Sequence, residues 1–467
     1  MPNKVTRRSF IHKAALSGVA VTVNPFINKS DEKMLKPFRI ASVSSNFERE
    51  PLAQPFGFKG SAITQVWQVL SQMKALDGTT KVGIGVQSPL WSDSMVAREH
   101  SESGGNALMY AITEHALQMI KGQQFNSPIV MVENILDDVM AYGRKVTGHE
   151  DLRTTFGLNA LVSVDNAAWL MYAAANGIEN FDDMVPAQYK KGLSARHDKV
   201  VAIPALGYGT PMSKIKMLAD QGFFIMKIKI GAPGSQKVML EKDKAFLKAI
   251  HETIGHYETP YSPTGKLPYY FDANGRYDHQ DSLMEFLDYA EKIGALDQIA
   301  LLEEPFGERN QEDVRQIAAR GPLVAADESA HTDQETIDRI EQGYNAIAVK
   351  AVAKTMSMTI KIAHAAYERN VPCFCADLTV NPILVDWNKV VAARLPAFPG
   401  WNMGMQETNG WQNYRDWDQM KSYHPMSEAP WILPDKGVYH TGDAFMRDSG
   451  GIFKPAKHYE DLFVELK

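Results

Sequence analysis

FIMKIKIG (224–231), YYFDANG (269–275), IALLEEP (299–305), LVAADES (323–329) and NAIAVK (345–350) are five short apolar runs, each ending on an ionisable side chain. In order, those side chains are Lys227 and Lys229, Asp272, Glu303, Asp327 and Lys350. Continuous apolar runs of this length, bounded by turn residues, read as buried strands. VVAIPALGY (200–208) precedes the five runs, and PCFCADL (372–378) and WNMGMQE (401–407) follow them. Amphipathic stretches such as SKIKMLADQ (213–221), VMLEKDKAFLKAIHETI (238–254), EDVRQIAAR (312–320) and LVDWNKVVAARL (384–395) lie between the runs. Strictly alternating strands and helices make a parallel sheet. Eight such strands in succession favour a closed barrel over an open sheet, and no glycine-rich phosphate fingerprint follows the first strand.

Upstream, FRIASVSSNF, SAITQVWQVLSQMK and KVGIGV read as strands around a Leu76-Asp77-Gly78 turn, and residues 107–175 carry helical spacing. The predicted organisation is an α+β capping domain over 36–195, a (β/α)7β barrel over 196–411, and a segment over 412–467 that is not helical and returns to the first domain. HYETPYSPTGKLP (256–268) reads as a surface insertion. Residues 1–35 read as a signal and linker: Arg7-Arg8 is followed by an apolar stretch from Ala14 to Val23, which resembles a twin-arginine export signal and predicts a periplasmic protein. No membrane association is expected unless that segment stays uncleaved. Cys373 and Cys375, the two cysteines of the chain, sit too close for a disulfide and read as small buried side chains.

At 467 residues, 45% hydrophobic and 22% charged, the chain is an ordinary globular protein of roughly two or three domains. A net charge of −6 argues against a nucleic-acid partner. A small carboxylate substrate and a homo-oligomer are expected.

The C-terminal ends of barrel strands are where side chains converge beneath the loops. Asp272, Glu303 and Asp327 end strands three, four and five, and three adjacent carboxylates repel unless a cation neutralises them. An oxygen-only set suits Mg2+, with Mn2+ next. Lys227 and Lys229 share a face of strand two, and their mutual repulsion is expected to lower one pKa. Lys350 ends strand six, on the opposite side of a ring of eight, so a metal-bound carboxylate substrate would have an amine on each face of its α-carbon.

KIKIG, FDANG, LLEEP, AADES and IAVK, with ALVSVDNAAW (160–169) upstream, closely resemble the muconate-lactonizing subgroup of the enolase superfamily, mandelate racemase/muconate lactonizing enzyme type. The resemblance implies a modified TIM barrel under a capping domain and an essential Mg2+ held by Asp272, Glu303 (not Glu304) and Asp327. It also implies Lys229 and Lys350 as opposed acid/bases and Lys227 as an auxiliary cation. The sequence departs from the subgroup in three places. VKAVAKTMS lacks the glycine pair that often follows the strand-six lysine. Asp377 stands where a glutamate is common, and MGMQETNG lacks the Asp-x-Asp pair with which dipeptide epimerases hold an ammonium. Asp377 and Glu407 could replace that charge, or serve as loop caps or supporting partners. The expected activity is abstraction of a proton α to a carboxylate through an enediolate, as a racemase or epimerase of an amino-acid or dipeptide-type substrate. The alternatives are a sugar-acid or hydroxy-acid dehydratase or cycloisomerase, and more remotely a carboxylate-binding protein without turnover.

Overall fold

Alternating apolar residues in SAITQVWQVLSQMK face a helical layer, and this builds the first part of the chain. The structure, a computed structural model, describes residues 35–58 and 61–464. The twin-arginine segment therefore lies outside the described residues. Strands β1 (Ser42–Phe58), β2 (Ser61–Lys74) and β3 (Thr80–Gln87) form an antiparallel meander. Helices α1 (Glu102–Ile120) and α3 (Thr154–Asn176) pack against it, and α2 (Pro128–Thr147) packs on those two helices. The approach of β3 to α3 is close enough to require glycine: a Cβ on Gly83 would lie 2.1 Å from the Ser163 carbonyl oxygen and 2.2 Å from Ala167 N. Beside it, the Ser71 and Ser163 hydroxyls bond at 2.8 Å.

The barrel begins at β4 (Lys199–Ile203), which continues past Pro204 as Ala205–Leu206. Then follow β5 (Met226–Lys229), β6 (Tyr269–Asp272), β7 (Ile299–Glu303), β8 (Leu323–Ala326), β9 (Ala346–Val349), β10 (Cys373–Cys375) and β11 (Gly404–Glu407). Neighbours pair in parallel in that order. β4 closes the ring, since its first half pairs with β11 and Ala205–Leu206 pairs with β5. Pro204, which has no N–H, marks the exchange of partners, and its carbonyl accepts from Lys227 N at 2.9 Å. Together these elements are a modified (β/α)7β TIM barrel with an α+β capping domain.

The crossover helices are α4 (Met212–Asp220), α5 (Gln236–Ile254), α6 (Gln280–Lys292), α7 (Arg315–Ala318), α8 (Asp333–Glu341), α9 (Met356–Tyr367) and α10 (Pro382–Ala392). The helix expected over 312–320 shrinks to the single turn of α7. The chain before it is held by Arg339, whose guanidinium donates to the Asn310 carbonyl at 3.0 Å and to the Glu308 carbonyl.

The tail differs from expectation. It contains short helices at Trp417–Ser422, Asp443–Asp448 and Lys457–Asp461. It also adds β12 (Val438–His440), antiparallel to the first half of β4, where β5 has not yet begun. It returns to the capping domain as well: Asn46 Nδ2 donates to the Leu462 carbonyl at 2.8 Å, and Gln68 Nε2 donates to the Tyr414 hydroxyl at 2.9 Å. Cys373 and Cys375 are buried free thiols, and burial pushes Cys373 up to about 12. Among the described residues, no helix is long and apolar enough to cross a membrane.

Candidate metal and acid/base site

Parallel register sets the first row of the site. Lys229 pairs with Asp272, and Asp272 pairs with Glu303, so one turn of the barrel wall presents a base and two carboxylates side by side. Lys227 lies two residues deeper on β5, on the same face. Its Nζ is 3.0 Å from Asp272 Oδ2, 2.8 Å from Glu303 Oε2 and 3.0 Å from Glu407 Oε2, spanning from β6 and β7 across to β11. At Lys227 the shift runs opposite to the expected depression. Burial works against the charge on Lys227, but Asp272, Glu303 and Glu407 together raise its pKa well above the ordinary value. Lys229 Nζ lies 2.5 Å from Asp272 Oδ2.

Lys350 approaches from β9, and its Nζ donates to Asp327 Oδ2 at 2.6 Å. Burial opposes its charge too, and Asp327 more than offsets this, so its pKa is raised. Lys227, Lys229, Asp327, Lys350, Asp377 and Glu407 all line one pocket, with Phe56 and Trp91 of the capping domain forming an apolar wall. The two aromatic rings meet edge to face at 5.3 Å.

Side chains that the strand-end pattern did not reveal complete the site. Lys354, one helical turn beyond Lys350 and buried, donates to the Asp327 carbonyl at 2.7 Å and the Ala348 carbonyl at 3.0 Å. It also lies 3.1 Å from Asp327 Oδ1. A second lysine four residues after the first was the visible signal. The Tyr270 hydroxyl donates to Glu303 Oε2. Asn274 N donates to Asp272 Oδ1 at 2.8 Å, and Asn274 Nδ2 reaches Glu328 Oε1 at 2.9 Å. Glu304 turns away from Glu303 through a left-handed backbone (φ 41°), and its Oε2 accepts from Asp327 N at 2.7 Å. Burial and Glu328 push Glu304 up to about 8. Glu407 takes Lys227 on one side and Asn409 Nδ2 at 3.1 Å on the other. Asp377 Oδ2 accepts from Asn409 N at 2.8 Å.

The carboxylates suit a hard divalent cation. Oxygens of Glu303, Asp327 and Glu328 lie within 4.8 Å of one another. Burial and the neighbouring Asp272 carboxylate push Glu303 well above the usual range, and Glu328 Oε2 is buried without a hydrogen-bond partner. Even with Lys227 beside Glu303 and Lys350 beside Asp327, three carboxylates this close suit a further cation, and the one that fits an oxygen-only donor set is Mg2+. The grouping shares Glu303 and Asp327 with the expected triad but has Glu328 in place of Asp272. Asp272 itself faces Lys227 and Lys229, which hold its carboxyl down to about 2 against the effect of burial.

The fold resembles that of enolase-type barrel proteins of the mandelate racemase/muconate lactonizing kind. Residues 212–426 match the family model described as enolase C-terminal domain-like. A mandelate racemase/muconate lactonizing protein from Herpetosiphon aurantiacus has the same fold, with a TM-score of 0.59 at 15% identity, covering 87% of this chain and 96% of its own. The L-Ala-D/L-Glu epimerase of Bacillus subtilis aligns with a TM-score of 0.59 at 16% identity, over 81% of this chain and 91% of its own. A dipeptide epimerase from Enterococcus faecalis, solved with Mg and L-Leu-L-Tyr, aligns with a TM-score of 0.56 at 16% identity, over 86% and 100%. No curated protein matches the sequence.

Proposed function

We propose that this protein is a Mg2+-dependent enzyme that removes a proton α to a carboxylate, and that its reaction is 1,1-proton transfer, the racemisation or epimerisation of an amino-acid or dipeptide-type acid. One observation carries the reading. Lys229 on β5 and Lys350 on β9 reach the same pocket from opposite strands, with the carboxylate cluster between them. Mg2+ held by Glu303 and Asp327, with Asp272 or Glu328, would supply the charge that stabilises an enediolate.

The chain's own groups do the rest. One lysine Nζ takes the α-proton from one face and the other returns a proton on the opposite face, which inverts the centre. Lys227, fixed by three carboxylates, keeps Asp272, Glu303 and Glu407 in place and contributes a fixed positive charge beside the substrate carboxylate. Phe56 and Trp91 shield the pocket from water. The twin-arginine segment supports export of the folded protein, so we place the reaction in the periplasm.

The test is solvent exchange. Amino acids and dipeptides incubated with enzyme and Mg2+ in D2O are expected to gain deuterium at Cα with inversion, followed by NMR. Loss of water instead would make the protein a dehydratase. Absence of α-exchange across a broad panel of acids would sink the proposal.

A further inference from the structure

Asp377, at the end of β10, is 6% exposed and lines the pocket beside Lys350 and Glu407. Its Oδ2 is fixed by Asn409 N, while its buried Oδ1 has no hydrogen-bond partner. Thr379, two residues on, turns through a left-handed backbone (φ 56°) and ties its hydroxyl to Asn409 Oδ1 at 2.8 Å, so the β10 and β11 loops hold the carboxylate between them.

Charge balance shows what this carboxylate needs. Lys227 is matched by Asp272, Glu303 and Glu407, Lys229 by Asp272, and Lys350 by Asp327. Among the described residues, the pocket carboxylates with no cation within ion-pair distance are Glu328 and Asp377. Glu328 belongs to the cluster with Glu303 and Asp327, where a metal would serve it. Asp377 stands outside that cluster, so the same metal does not serve both. A buried carboxylate without a partner is strongly disfavoured, and burial with Glu407 pushes Asp377 up to about 7.

We propose that Asp377 is the recognition site for a primary ammonium on the substrate, accepting its N–H at Oδ1, so that the enzyme selects carboxylates that also carry a free amine. This rests on the reading of the pocket as a carboxylate-handling site, and it adds the second charged group of the substrate. It locates that group at the β10 end, on the side of the pocket occupied by Lys350.

The test uses probes without an α-hydrogen, so recognition is read apart from turnover. Glycyl-2-aminoisobutyrate and acetyl-2-aminoisobutyrate differ by one amine, and 2-aminoisobutyrate and pivalate differ by an amine in place of a methyl group. Binding to the full chain with Mg2+ is measured by calorimetry. In the wild type, the amine member of at least one pair is expected to bind tenfold or more tightly than its partner. In Asp377→Asn and Asp377→Ser, that preference is expected to fall to within threefold, while the acetyl probe binds as in the wild type and so reports an intact fold. Equal binding of both members of each pair in the wild type, undetectable binding included, overturns the proposal. So does a tenfold preference that persists in either variant. Failure of α-exchange in D2O with normal amine preference would instead count against the proton-transfer reading alone.

Discussion

Lys227 and Lys389 are both buried against carboxylates, and they behave in opposite ways. Lys227, inside the barrel mouth, sits among three carboxylates and is held charged. Lys389, on α10 outside the barrel, has Asp386 as its ion-pair partner, and burial lowers its pKa although Asp386 opposes this. Around Lys389, each polar group finds a protein partner. Its Nζ donates to Asp386 and to the Trp431 carbonyl at 2.8 Å, and it lies 4.0 Å from the centre of the Tyr439 ring. The second Asp386 oxygen takes Trp431 Nε1 and His424 Nε2, both at 3.1 Å. That centre fastens the tail to the barrel. Around Lys227 the carboxylates outnumber the ammoniums, acceptors are left over, and the group opens into a pocket. Burial of charge is common to both centres. An excess of one sign beside a cavity belongs only to the first, and that excess marks a site for ligands.

The largest effects should separate the two centres by activity. Lys229→Ala and Lys350→Ala each remove a proton carrier, and α-exchange is expected to fall by about 10³-fold or more. Mg2+ binding by calorimetry should survive Lys350→Ala, since Glu303, Asp327, Asp272 and Glu328 all remain. Full activity of Lys350→Ala on both enantiomers would break the two-face assignment. Asp272→Asn is expected to remove activity and metal binding together; metal binding that survives it would assign the third ligand to Glu328.

Stability should show the converse. Lys389→Met leaves Asp386 charged and buried without its ammonium, and breaking such a pair costs about 3–5 kcal/mol. Urea denaturation should register that loss, while α-exchange per folded molecule stays within twofold. Lys389→Met combined with Asp386→Leu should recover part of the loss, although Trp431 Nε1 and His424 then lose their acceptor. A large fall in exchange rate for folded Lys389→Met would erase the distinction between the two centres.

The barrel was legible in the sequence because parallel strands buried on both faces leave continuous apolar runs, and the lysines and carboxylates stood out as polar endings to those runs. What the strand ends could not show depends on side-chain torsions and on chain segments far apart. The grouping of Glu328 with Glu303 and Asp327 and the turn of two lysines toward Asp272 are settled by such torsions. Phe56 and Trp91 reach the pocket through packing between domains, and no local pattern announces it. β12 forms only because β4 changes partners at Pro204 and leaves a free edge below it. α7 is curtailed by Arg339, an arginine from the following helix.

Between these centres lies the joint of capping domain and barrel, where the smallest effect is expected. Asp165 of α3 accepts from Ser357 N at 2.9 Å and Ser357 Oγ at 2.5 Å, and Trp169 Nε1 reaches the same hydroxyl at 3.0 Å. Burial pushes the Asp165 carboxyl up to about 7, although the Ser357 bonds pull the other way. An unfolded chain releases that proton near the ordinary aspartate value of 3.8. Between those two values the native state holds a proton that the unfolded state has lost, so stability falls as pH rises through the window. The contribution is complete below the lower value and gone above about 7. Asp165→Asn has no proton to lose, and its stability should vary less than the wild type's between those values. At low pH it should match the wild type to within about 1 kcal/mol, because a protonated carboxyl and an amide make comparable neutral hydrogen bonds. Parallel pH profiles for the two proteins, measured by urea denaturation, would mean that Asp165 is ionised in the native joint. It would then hold a buried charge on hydrogen bonds alone, without the counter-ion that both lysine centres have.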